Sequence, residues 1–254
     1  LPKAWLYKRV RIELIDISPE TILHDVLDIV KIHINLSEII GIYLAGSYAR
    51  GDNEESSDID ILIITENTSK ELIKSGNYEI MIISLDLLEY KLKENLLPIG
   101  TMLKEAKPLL NSNFLKNIEI KATKKNIKWF LDTTKDRLKI IKDSINKIEK
   151  NKPDGKLSDA VAYSLILRLR TIYMIDLLIR NRIYNKNDFI KLIKDISGSR
   201  TAYERYICAK NNKESKRELS VNEGKKIYEY LKDYLVKIEK NIKWLIMTSD
   251  FVFI

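Results

Sequence analysis

The sequence predicts an α/β segment with a mixed sheet, followed by an all-α segment. Three observations carry that prediction. Apolar, partly β-branched runs at 39–45, 61–65 and 78–83 are separated by glycine-bearing turns, the pattern of buried strands. From about residue 122 the apolar positions recur at helical spacing instead, as in Ile127, Leu131, Leu138, Ile141, Ile145 and Ile148. The charge also changes sign along the chain. Residues 1–120 hold 13 Lys and Arg against 19 Asp and Glu, and residues 121–254 hold 31 against 17. The expected units are therefore a domain over 1–120 and a helical bundle over 121–254.

Taken in order, residues 3–16 are ambiguous, because the strand-like alternation of Val10, Ile12 and Leu14 reverses phase at Ile15-Asp16. Ser18-Pro19-Glu20 is a helix start, with Ser18 as N-cap and Pro19 in the first turn. Leu23, Val26, Leu27 and Val30 stripe that helix, which is expected to reach about residue 34. Residues 69–74 read as a short helix ended by Gly76. Tyr78–Ile83 is the next strand, and Ser84 caps a helix from Leu85 to about Glu94. Pro98 and Pro108 punctuate a linker-like stretch. Asn151–Gly155 breaks the first long helix of the second half. Residues 160–179 are apolar nearly all round, as in the central helix of a bundle. Shorter helices are expected at 187–196 and 200–210. A final long helix is striped by Ile227, Leu231, Tyr234, Ile238 and Ile242.

The chemistry concentrates between the first two strands. Gly46-Ser47 is followed by ten residues and then Asp58-Ile59-Asp60. Side chains alternate along a strand, so Asp58 and Asp60 share a face. Two neighbouring carboxylates repel unless a cation lies between them, and Mg²⁺ takes such oxygen ligands together with substrate phosphates. Gly46 permits close backbone approach, Ser47 offers a hydroxyl, and Arg50 offers a forked donor suited to phosphate. If residues 48–51 open a helix, their N–H groups face an anion. Glu79 is a lone acid inside an apolar strand, which needs a reason. Asp86 competes with it, but an acid in a first helical turn is ordinarily a dipole partner.

Gly46-Ser47, Ala49-Arg50-Gly51 and Ser57-Asp58-x-Asp60 resemble the nucleotidyltransferase superfamily that includes DNA polymerase beta, and within it the minimal nucleotidyltransferases. The resemblance covers about residues 38–110. It implies transfer of a nucleoside monophosphate, with AMP from ATP as the commonest case, to a hydroxyl acceptor with release of pyrophosphate. Asp58 and Asp60 would hold two Mg²⁺ ions, with Glu79 completing a metal site or taking the acceptor proton. Gly46, Ser47 and Arg50 would bind the nucleotide phosphates. Helical bundles of the HEPN or substrate-binding kind accompany many such transferases. Ribonucleases of that bundle group use an arginine–histidine motif, and this half contains no histidine. The acceptor stays open between a small molecule such as an aminoglycoside, a protein hydroxyl and an RNA end. A non-catalytic nucleotide- or RNA-binding regulator, such as an antitoxin-type module, is the alternative.

Composition bounds the rest. With 45% apolar and 31% charged residues the chain reads as globular and soluble, with a cytoplasmic location expected and a homo-oligomer left open. The single Cys208 excludes an internal disulfide. The apolar stretch 160–179 carries Arg168, Arg170 and Asp176, too many charges for a membrane span. Those two arginines are the expected contributors to a cleft between the halves, with internal pairing to acids such as Asp176 as the other reading. His24 and His33 have no partners at metal-ligating spacing. The basic second half reads as a lysine-rich solvated surface or as a face for an anionic partner.

Overall fold

Two hydrophobic faces of one sheet and a separate helical core account for most of the buried residues. The computed structural model describes residues 17–249 except 56, 153–154 and 214–216; the 3–16 stretch lies outside them. The sheet comprises β1 (Ile39–Leu44), β2 (Ile59–Thr65), β3 (Lys70–Ser75), β4 (Tyr78–Ser84) and β5 (Lys107–Leu110). Its order is β3-β4-β2-β1-β5, so β3 and β5 form the edges. β1 runs antiparallel to β2 and β5, β3 antiparallel to β4, and β2 parallel to β4. The sheet is mixed, as expected.

Alternation sorts each strand's side chains between two layers. Ile59, Ile61 and Ile63 of β2 join Ile42, Leu44, Ile80 and Ile82 under α1 (Pro19–Val30). Leu62 and Ile64 turn the other way, onto Tyr43, Ile83 and Leu88. That second layer is closed by α3 (Leu85–Glu94), α4 (Ile99–Glu105) and α5 (Ser112–Asn117). Ser18 caps α1 by accepting from the Thr21 amide at 3.2 Å, and Ser84 caps α3. α1 stops at Val30, a turn earlier than its apolar stripe suggests.

Two expectations are corrected. The predicted helix over 69–74 is strand β3, whose register with β4 shifts between Lys70 and Ile73. That irregularity breaks the period-two pattern that would have marked it as a strand. The linker-like stretch around Pro98 and Pro108 is helix α4 followed by edge strand β5. Pro98 caps α4, and Pro108 sits on an outer strand, where a missing N–H is tolerated.

The helical region follows. It contains α6 (Lys124–Asn151), α7 (Asp159–Ile179), α8 (Lys186–Ser197), α9 (Thr201–Lys210) and α10 (Val221–Ser249). Thr123 opens α6 with a reciprocal capping box to Asn126. α7 is the central helix, burying Leu165, Ile166, Leu169, Ile172 and Ile175 among residues of α6, α9 and α10. A two-stranded ribbon, β6 (Lys156–Leu157) and β7 (Leu219–Ser220), ties the start of α7 to that of α10. Asp176 on α7 is buried. It accepts from Arg180 at 2.9 Å and from the Tyr234 hydroxyl of α10 at 2.8 Å, fixing that helix pair.

Candidate active site

A cleft of about 930 Å³ separates the ends of β2 and β4 from α7, α8 and α9. One wall is built by the strand ends. After β1 the chain turns into the one-turn helix α2 (Gly46–Arg50), then returns to β2 through a short loop. Gly46 has φ +64, and a Cβ there would collide with Asp60 Oδ2. The space that glycine leaves is therefore filled by the Asp60 carboxylate. The Ala45 amide donates to the Asp60 carbonyl at 2.8 Å, holding turn and strand together.

Asp60 lies directly beside Glu79 in the parallel register of β2 and β4. Asp58 lies just before β2, which begins at Ile59, and is near enough to act electrostatically on Asp60. All three carboxylates line the cleft. Burial pushes the Asp60 carboxyl above its ordinary value, Glu79 and Asp58 push it further, and Arg50 and Lys210 pull it back. Glu79 is ion-paired with Lys74 of the neighbouring edge strand. Among the described residues no three His, Cys, Asp or Glu side chains converge closely enough to hold an ion as they stand. The donor set is nonetheless right for a hard divalent cation. It offers oxygen only, and crowded carboxylates whose mutual repulsion a cation relieves. Asp86, exposed in the first turn of α3, lies at the opposite end of β4 and does not line the cleft.

Arg50 is not free. Its Nη1 donates to Glu105 Oε2 at 2.8 Å, and its Nε to Asp52 Oδ2 at 3.2 Å. Burial works against the Arg50 charge, but these bonds outweigh it and hold the guanidinium protonated. Glu105, at the end of α4, uses its other oxygen to accept from the Gly46 amide at 3.0 Å. Nothing in the sequence marks Glu105, because its partners are 55 and 59 residues away.

The facing wall comes from the helical region. Arg170 lines the cleft, but Arg168 does not; it donates to Thr133 of α6 at 3.2 Å. Neither pairs with Asp176, which is taken by Arg180 and Tyr234. Tyr184 is flanked by two guanidinium groups, Arg50 at 5.4 Å and Arg170 at 5.1 Å from its ring centre. Lys186 pairs with Glu54 across the mouth. Arg170, Arg200 and Lys210, also lining the cleft, have no carboxylate within 4 Å among the described residues. Cys208 lies on the same wall.

The cleft thus sets a strand–turn–strand edge, carrying Gly-Ser and three acids, against a basic helical wall. Residues 23–125 match the nucleotidyltransferase-domain family, in line with the resemblance to the superfamily that includes DNA polymerase beta. Members of that superfamily generally use divalent metal ions. No curated protein matches the chain. Among solved structures, a nucleotidyltransferase-like protein from Exiguobacterium sibiricum is 11% identical, with 87% of this chain and 75% of that one covered at a TM-score of 0.38. A spectinomycin adenyltransferase from Enterococcus faecalis, solved with ATP and spectinomycin, is 15% identical, with 85% and 98% covered at a TM-score of 0.44. At these scores nothing about substrate follows from either. Among the described residues no helix is long and apolar enough to cross a membrane.

Proposed function

We propose that the chain transfers a nucleoside monophosphate from a nucleoside triphosphate, ATP foremost, to a hydroxyl acceptor with release of pyrophosphate. The observation that carries this reading is the register of Asp60 with Glu79 near Asp58, opposite a wall that carries Arg170, Lys186, Arg200 and Lys210. Asp58 and Asp60 would hold divalent ions, Mg²⁺ by preference, with Glu79 completing the set. Such ions supply charge neutralisation at the phosphates and activation of the attacking oxygen.

The chain's own residues do the rest. Ser47, exposed to the cleft at the start of α2, offers its hydroxyl to a phosphate oxygen. Lys210 and Arg200 stand across from the acids, where a triphosphate would lie, and balance its charge. Gly46 keeps the turn close against Asp60, so that phosphate and carboxylates share one end of the cleft. In the alternative role, Glu79 would instead accept the acceptor's proton, once its bond to Lys74 opens. Most of the catalysis assigned to this site is positioning and charge stabilisation.

Incubation with each labelled nucleoside triphosphate, Mg²⁺ and cell extract tests the reading and sorts the acceptor by whether label enters protein, RNA or small molecules. Asp58→Asn should abolish labelling while the protein still folds. Full labelling by that variant removes the metal assignment. Triphosphate binding without any transfer would favour the regulatory alternative.

A further inference from the structure

The pattern Gly46-Ser47-x-x-Arg50 reads as an anion site, and in the structure that site already holds an anion: the carboxylate of Glu105. One oxygen accepts from the Gly46 amide at 3.0 Å and the other from Arg50 Nη1 at 2.8 Å. The two donors are the first and last residues of α2, so one carboxylate clamps both ends of a single helical turn. The clamp is buried, with 6% of the Glu105 side chain and 14% of Arg50 exposed. Asp52, Tyr184 and the nearby charge of Arg170 enclose it. Its geometry is bidentate, one oxygen per donor, the arrangement that fixes orientation as well as distance.

We infer that Glu105 is a positioning residue for nucleotide binding, and that Arg50 is its strut and not a phosphate ligand. The chain of contacts runs outward from it. Glu105 sets α2; α2 sets Gly46 against the Asp60 carboxylate and presents Ser47 to the cleft. With the Gly46 amide and Arg50 consumed, the positive charge facing a triphosphate comes from the unpaired cations of the helical wall. The donor is thus bound between two walls, one supplying carboxylates and a hydroxyl, the other supplying cations. α4, which carries Glu105, is packed between the sheet and α7, so the clamp also registers one wall against the other. This inference rests on the nucleotidyltransferase reading for its ligand but not for its geometry.

The test compares wild type, E105Q, R50M and the double variant. Binding of a non-hydrolysable ATP analogue with Mg²⁺ is measured by calorimetry, and exchange of the α2 amides by hydrogen–deuterium exchange. The clamp predicts at least tenfold weaker binding in E105Q and in R50M. The double variant should be no worse than the weaker single one, because either change opens the same clamp. Amides of residues 46–50 should exchange faster in all three. Unchanged or tighter binding in E105Q, with loss in R50M, would show that Glu105 merely competes with phosphate for a free arginine, and overturns the inference. A lower melting temperature with unchanged binding overturns it as well. If wild type binds no triphosphate, the nucleotidyltransferase reading fails while exchange still decides the clamp: faster exchange in E105Q supports it and unchanged exchange refutes it. Should E105Q not fold, E105D is read in its place, keeping the charge but shortening the reach.

Discussion

Asp60 is held where ionisation is disfavoured. Burial raises its pKa first, then the proximity of Glu79 and Asp58. A carboxyl whose folded pKa lies above its unfolded value subtracts stability as pH rises between the two. The penalty is complete above the folded value and absent below the unfolded one. Asp60→Asn should therefore be more stable than wild type at pH 7 in the presence of a chelator. The difference should vanish near pH 3, as followed by thermal unfolding at both. A less stable Asn variant at pH 7 would mean that the carboxylate makes a favourable contact, and that repulsion is not what awaits a cation. At this scale much was legible from the residues. Asp58 and Asp60 are marked by their spacing and Glu79 by its apolar strand, but the parallel register that sets Glu79 beside Asp60 is visible only in the structure. The purpose of Gly46 was only half readable. The sequence asks for a close approach at that position, but the structure assigns it to the Asp60 carboxylate and not to a ligand.

Among the elements, α9 ends on Lys210 and is preceded by Arg200, two cations that line the cleft and that the proposed triphosphate would meet. Its residue Lys210 acts electrostatically on Asp60 across the cleft and lacks an ion-pair partner of its own among the described residues. Lys210→Ala should weaken the ATP analogue by roughly 1–2 kcal/mol, the scale of one charge-assisted contact in a partly solvated cleft. AMP, which lacks the outer phosphates, should bind as before; equal loss for both would place Lys210 elsewhere. The long helices were readable because α6, α7 and α10 repeat their apolar positions over many turns. α4 and β5 were not. α4 has seven residues and β5 four, with a proline at the boundary of each, so neither offers a full period to recognise. β3 was misread because Ser69 imitates a cap and the register shift after Lys70 spoils the alternation. Glu105 was lost with α4, since a residue's tertiary partner cannot be seen until its element is placed.

For the whole molecule, the proposed reading makes a triphosphate with its divalent ions a link between the acidic and the basic wall. A ligand that binds only the folded state raises stability by about 2.7 kcal/mol at one hundred times its Kd. For a chain of this size that corresponds to a rise in Tm of about 5–10 °C. Mg²⁺ with the ATP analogue should produce such a rise, larger than with Mg²⁺ and AMP, in a thermal scan at fixed ionic strength. No difference between the two nucleotides would place the outer phosphates outside the cleft. The contrast of 13 basic against 19 acidic residues in 1–120, and 31 against 17 beyond, already pointed to two differently charged halves. That the second half lends its cations to the first half's acids became clear only from the placement of α9 and of the Tyr184 segment.

The sheet's two outer strands bear on how the molecule behaves when concentrated. β3 carries Lys70 and Lys74, and β5 carries Lys107 and Pro108. An incoming strand from another chain would meet ammonium groups at one margin, and a proline lacking an N–H beside a lysine at the other. Five-stranded sheets left bare at both margins invite stacking into fibres. Here both margins carry features that resist it, and the irregular register of β3 presents a poor template besides. The open end of the sheet can then serve its ligand without the flanks recruiting neighbours.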